Sequence, residues 1–390
     1  PIYAEVQGTI GAQSNAAMGL IASCYFFGYT ALQIPSGFLV DRFGQKKILI
    51  PGFIVFALGA LSIALSHSLI TIYIGSVCAG IGCGTYYGAA FSLTAKNVPP
   101  EKKGISTAIV NSGSAIGMIL GMTGSSFIVK TLNMPWQTMV FISSGLIFLL
   151  VIWFAVAIKK VDNRSEAEET VDVSMDDVTE VEKIPGVEKK NSLFSLNMIS
   201  CYILYFSTCY AYYLIVTWLP KFLESERGIT GGMIGIVVSM ISVTAVPGAL
   251  FFARMSDKKR DKKAVIIIGL EVSAFVLVAL SMFMPNATSL AVVLLLYGFL
   301  GKMAVDPVLI SYVSDKADKR NMATALGIFN FFGMSSSIIA PALTGLIIDN
   351  TGSGELGFYI GAGFLIVGTA FFLLFNAKAF FSKKTTTTNV

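Results

Sequence analysis

The chain has 390 residues, 54% of them hydrophobic and only 13% charged, with a formal net charge of +5 and a mean hydropathy of +0.73. A soluble domain carries about 25% charged residues, so this chain lacks the charge to cover a water-facing surface and belongs in lipid. The mild net charge, with no basic cluster interleaved with aromatics, argues against a nucleic-acid partner. Five cysteines (Cys24, Cys78, Cys83, Cys201, Cys209) lie in apolar runs without a Cys-x-x-Cys pair, and the single histidine, His67, ends an apolar run. Neither pattern suits a disulfide framework or a metal site, and no cofactor is expected.

A membrane-crossing helix needs about 20 mostly apolar residues. Such runs are predicted near 15–40, 48–67, 69–94, 105–129 and 136–158, then near 196–220, 231–253, 264–284, 289–313, 322–348 and 357–380. Between the two sets, residues 161–191 hold ten of the 23 acidic residues and few large apolar ones. That stretch buries too little apolar surface to fold alone and reads as a disordered linker. The predicted organisation is a helical bundle over 1–160, an acidic linker over 161–194, a second bundle over 195–380 and a tail over 381–390.

Lysines and arginines alternate between connections. Arg42, Lys46 and Lys47 follow the first run; Lys96, Lys102 and Lys103 the third; Lys159, Lys160 and Arg164 open the linker. Six more lie between Arg254 and Lys263, then come Lys316, Lys319 and Arg320, and Lys378, Lys383 and Lys384. The opposite connections carry only Lys130, Lys221 and Arg227. Basic loops stay in the cytoplasm, which places the linker and C-terminus inside and the start of the chain outside, in a cell membrane. Five runs before a cytoplasmic linker and six after it suggest six plus six, with one helix preceding residue 1.

Charges at bilayer depth cost about 2.5–3.5 kcal/mol on insertion scales and usually face a cavity. Lys302 lies near the middle of the 289–313 run with Asp306 one turn on, so the two share a face. Pro307 removes a backbone donor and predicts a local break there. Glu271 is a further acid inside a run. Tyr86, Tyr87, Tyr205, Tyr212 and Tyr213 could offer hydroxyls to a polar substrate. Asn111 and Asn330 fall at similar places in the two halves and suit either substrate binding or bonding between helices. Gly113, Gly117 and Gly121 make two GxxxG steps, which predict a close-packed helix face.

The run Gly37-Phe-Leu-Val-Asp41-Arg42-Phe-Gly44-Gln-Lys46-Lys47 is echoed by Ala253-Arg254-Met-Ser-Asp257-Lys258-Lys259-Arg260, as expected of a transporter built from internal repeats. The first copy resembles the loop signature G-x-x-x-D-R-x-G-[RK]-[RK] of the major facilitator superfamily. Tyr29-Thr-Ala-Leu-Gln33-Ile-Pro35-Ser-Gly37, and Tyr212-Tyr213 through Trp218, Pro220 and Arg227-Gly228, are similar to the anion:cation symporter family within it.

The resemblance implies an all-α fold of two six-helix bundles rocking about a central site. It also implies carboxylate substrates such as sugar acids, moved with protons or sodium. Lys302 then attracts the carboxylate, with Tyr86, Tyr87, Tyr205, Tyr212 and Asn330 as further contacts. Asp306 and Glu271 are the candidates for ion coupling, and Gly37, Asp41, Arg42, Gly44 and Asp257 for conformational gating. Members of that family often carry a glutamate in the fourth helix, whereas Gly80–Tyr87 holds no acid here. An exchanger of the same fold, or a carrier of a neutral or drug-like substrate, remains an alternative. A membrane enzyme lacks its nucleophile–base set, and an ATP-driven pump lacks the GxxxxGK[ST] loop.

Overall fold

The computed structural model describes residues 2–11, 13–97, 103–158, 193–284, 286–317 and 322–376. The linker predicted over 161–191, the tail, the surroundings of Gly37 and the side chains of Asp41, Tyr87 and Asn111 lie outside what is described. The described residues are almost entirely helical. A short α1 (Tyr3–Ile10) precedes α2 (Asn15–Phe43), α3 (Gln45–Ala64), α4 (Leu69–Asn97), α5 (Lys103–Ser125) and α6 (Trp136–Ala157). The second set is α7 (Leu196–Ser225), α8 (Met233–Lys258), α9 (Lys263–Phe283), α10 (Ala287–Leu300), α11 (Lys302–Lys316), α12 (Met322–Thr351) and α13 (Gly354–Asn376).

Ten helical segments among the described residues are long and apolar enough to cross a membrane. Of the eleven predicted runs, the 15–40 run is not among these ten, although it folds as the 29-residue α2. In lipid a backbone must satisfy its own polar groups, which helices do within one segment. Helix starts are set locally. The Ser14 hydroxyl accepts from the Ala17 N–H at 3.1 Å, and the Asn286 side chain accepts from the Ser289 N–H at 2.9 Å, each filling an orphan donor of a first turn. Gly44, at φ +84°, takes the turn between α2 and α3, inside the signature run.

Two expectations need correction. The break in the 289–313 run falls at Gly301, between α10 and α11, and not at Pro307, which lies inside α11. Six residues earlier, Gly301 adopts φ −88°, ψ −148°, a conformation that ends one helix and starts another. Gly113, Gly117 and Gly121 form no tight helix contact: a methyl group on any of them would meet nothing within 4 Å among the described residues. The close approaches lie elsewhere, where a methyl on Gly19 would strike the Pro341 carbonyl and one on Gly345 the Asn15 backbone.

Within the first set, α4 packs on α2 and α3, and α3 on α6; in the second, α7 packs on α12 and α13, and α8 on α10 and α11. The two sets meet along α2 with α12 and α5 with α8. These two seams position everything that follows.

Candidate functional site

Because Gly301 ends α10, Lys302 is the first residue of α11 and points its amine into the second bundle. Lys302 is only 7% exposed. Its Nζ donates to Asp306 Oδ2 at 2.6 Å, one turn along, as the i, i+4 spacing predicts. The amine also lies 5.5 Å from the Tyr212 ring centre and 5.7 Å from that of Tyr205, within the range of cation–π attraction. Asp306 Oδ1 has no hydrogen-bond partner among the described residues. A charged pair with one open carboxylate oxygen and two aromatic walls is poorly served if packing is its only role, since apolar residues would pack as well.

The aromatic walls reach the seam between the bundles. The Tyr212 hydroxyl donates to Met118 Sδ of α5 at 3.4 Å. Tyr213 packs edge-on against Phe26 of α2, with ring centres 4.9 Å apart, and its hydroxyl donates to Met334 Sδ at 3.7 Å. Tyr205 stacks on Phe329 of α12 at 4.0 Å. Lys302, Asp306, Tyr205 and Tyr212 are thus brought together.

Other candidates go elsewhere. Tyr86 joins the first bundle's cluster with Phe53, at 6.0 Å between ring centres. Asn330 gives its Nδ2–H to Gln33 Oε1 at 2.8 Å, which joins α12 to α2. Glu271 is fully buried and takes a hydrogen bond with Thr208 of α7. Arg42 is exposed and sits 5.3 Å over the ring of its neighbour Phe43. Asp257 is exposed and forms no ion pair among the described residues. Groups of three or more metal-ligating side chains are absent among the described residues.

A second constellation closes the seam at the end opposite Asp41, and sequence reasoning did not find it. Asp349, near the end of α12, accepts from the Asn15 N–H and Nδ2–H through Oδ1 and from the Ala16 N–H through Oδ2, each at 2.8 Å. One bundle's carboxylate therefore caps the other bundle's helix, where the helix dipole favours negative charge. Lys130, only 4% exposed in its side chain, pairs with Glu5 at 3.1 Å and with Glu224 of the second bundle. It sits on a π-helical turn, Ser126–Thr131, that extends α5. Lys221 reaches back to Asn15 and to Gln7. The Trp218 indole donates to the Pro341 carbonyl at 2.9 Å and packs on Tyr3. The only sequence signal was that Lys130 and Lys221 broke the pattern of basic-poor connections.

Comparison with known proteins agrees with this architecture. The model of the Major Facilitator Superfamily matches residues 1–341 and 201–388. A hexuronate transporter of Bacillus subtilis is 25% identical over 90% of this chain and 84% of its own length. A probable galactarate/D-glucarate transporter of the same organism is 27% identical over 95% and 86%. A probable sulfoacetate transporter of Cupriavidus necator is 25% identical over 96% and 88%. Among solved structures, a bacterial homologue of the human lysosomal transporter Spinster superposes with a TM-score of 0.72 at 14% identity, covering 96% of this chain and 92% of that one; this likeness speaks for the fold alone. With helices that cross a membrane many times and a family model matched along nearly its whole length, the chain belongs to the Major Facilitator Superfamily, as a multi-pass membrane transporter and not an enzyme.

Proposed function

We propose that the chain is a secondary active transporter of a small organic anion, a carboxylate or sugar acid, coupled to protons or sodium and working by alternating access. The observation that carries this reading is Lys302, a buried amine at a helix break, held by one carboxylate and faced by two tyrosine rings. An arriving carboxylate competes with Asp306 for the amine, and the tyrosine hydroxyls offer it neutral hydrogen bonds. Relatives whose names specify hexuronate, galactarate or glucarate, and sulfoacetate fit a cationic site. Asp306 and Glu271 are the two acids within reach of this site that could carry the coupling cation.

Alternating access uses the two seams. The contacts from Asp349 to α2 and from Lys130 to Glu224 hold the bundles together at the end that the basic loops place outside the cell. The signature residues Asp41 and Arg42, with Asp257 in the second copy, lie at the cytoplasmic end and steady the opposite closed state. The bundles are residues 1–160 and 195–380, joined by a cytoplasmic linker. Replacing Asp41 with Ala is expected to reduce turnover more than substrate binding, and an equal loss of both would remove it from the gating role.

The direct test is thermal stabilisation of the purified protein by a panel that includes glucuronate, galactarate, glucarate and sulfoacetate, beside Lys302→Ala and Lys302→Arg variants. Stabilisation by one anion that vanishes in Lys302→Ala supports the site. An anion that stabilises both equally would move the site elsewhere, and stabilisation by neutral sugars alone would overturn the anion reading. Uptake that requires a trans anion, and no cation gradient, would make the protein an exchanger.

A further inference from the structure

Glu271 sits in the middle of α9 with none of its surface exposed. Its helix neighbours Ile267 and Leu270 belong to one apolar cluster of the second bundle, and Ala274 and Leu277 to the other. Among the described residues it forms no ion pair, and Lys302 is engaged by Asp306. Oε2 of Glu271 has no hydrogen-bond partner among the described residues. An ionised carboxylate in such a place would be a buried, unpaired charge, among the most costly arrangements in a protein.

The hydrogens around it point the same way. Oε1 of Glu271 is hydrogen-bonded to the Thr208 hydroxyl. That same hydroxyl lies 2.9 Å from the Leu204 carbonyl, in the usual back-bonding geometry of a helical threonine. A threonine hydroxyl has one hydrogen to give. With that hydrogen on the Leu204 carbonyl, the contact between Thr208 and Glu271 lacks one, and a protonated Glu271 supplies it. The titratable groups that interact with Glu271 are Asp306 from α11, Tyr297 from α10 and Cys209 from α7. None of them is a cation, and the nearby Lys302 is held by Asp306.

We infer that Glu271 is a proton-binding site held as a neutral carboxylic acid, donating to Thr208, and separate from the Lys302–Asp306 pair. It deepens the transport reading by naming the coupling ion as a proton and placing it one helix away from the anion. The link runs through α7: Thr208 holds the proton site, while Tyr205 and Tyr212, three residues before it and four after, wall the amine. A movement of α7 that exposes Thr208 would release the proton.

Infrared spectroscopy of the reconstituted full chain near neutral pH tests this without any substrate. The wild type is expected to show a carbonyl band of a protonated carboxyl group that disappears in Glu271→Gln and persists in Asp306→Asn. Thr208→Val removes the partner but not the acid, so it is expected to shift the band and not abolish it. Glu271→Gln, an isostere of the neutral acid, is expected to keep the wild-type melting temperature. A spectrum in which Glu271→Gln leaves the protonated-carboxyl bands unchanged would overturn the inference. So would loss of the band in Asp306→Asn alone. Because no anion enters the experiment, failure of the anion-transport reading leaves this result intact, and the reverse also holds.

Discussion

Two neighbouring helices in the chain, α6 and α7, were built by opposite rules. α6 is the most apolar of the ten spans, yet only 11% of it is buried, and Leu149, Ile152, Trp153 and Val156 face outward. α7 shares the lowest apolarity of the ten, yet 67% of it is buried, with Ser200, Ser207 and Thr208 inside. In water the more apolar helix would be the inner one. Here lipid is the solvent, so apolar side chains face out and small or polar ones pack within. Apolarity alone does not rank the spans, since Ser112–Thr131 shares the apolarity of α7 with only 22% buried; in this pair, the more polar helix is the one that carries the walls of the site.

The comparison is broken hardest by emptying the buried helix. Trp218→Ala removes a side chain that is 1% exposed, together with its bond to Pro341, and is expected to destabilise the protein by about 3–5 kcal/mol. Denaturant titration in micelles measures it, and a loss below about 1 kcal/mol would mean that α7 is not the packing centre. Next, Leu149→Arg sets a charge on the lipid face of α6 and is expected to cost about 2.5–3.5 kcal/mol. It should appear as lost membrane insertion, and wild-type insertion would show that this face meets protein or water.

The inter-bundle cap is a smaller effect. Asp349→Ala leaves the first amides of α2 without their acceptor, and about 1 kcal/mol is expected from the lost cap. The melting temperature should fall by a few degrees, while a cysteine placed at the outer end of the seam becomes faster to label with a membrane-impermeant reagent. Unchanged labelling would detach Asp349 from closure of that end. The smallest effect sharpens the contrast with Trp218: Trp153→Ala, on the exposed face of α6, is expected to stay within about 0.5 kcal/mol of wild type.

Run length and apolarity made the spans legible, since a bilayer sets both. The Lys302–Asp306 pair was legible because helical spacing alone brings i and i+4 together. The Gly301 break was not, because glycine is permissive and Pro307 carried the stronger local signal; α11 keeps its helical path through the proline. Contacts between distant positions left no trace. Asn330 suits either substrate binding or bonding between helices on sequence alone, and only the fold shows that its amide is bound to Gln33. Nothing local to Glu271 indicates that Thr208 will lie beside it. The GxxxG steps at Gly113, Gly117 and Gly121 show the converse: a motif states that close approach is possible, not that a described neighbour makes it.

The cap that Asp349 places on α2 has a consequence for biosynthesis. Its partners at Asn15 are 334 residues away in the chain. At roughly 5–20 residues per second, the acceptor is made some tens of seconds after the donors it will serve. During that interval the first amides of α2 must be satisfied by interfacial water or by the translocation machinery. The first bundle can therefore insert early, but the outer end of α2 is finished only when α12 emerges, so a nascent chain stalled before α12 would hold α2 with a frayed start.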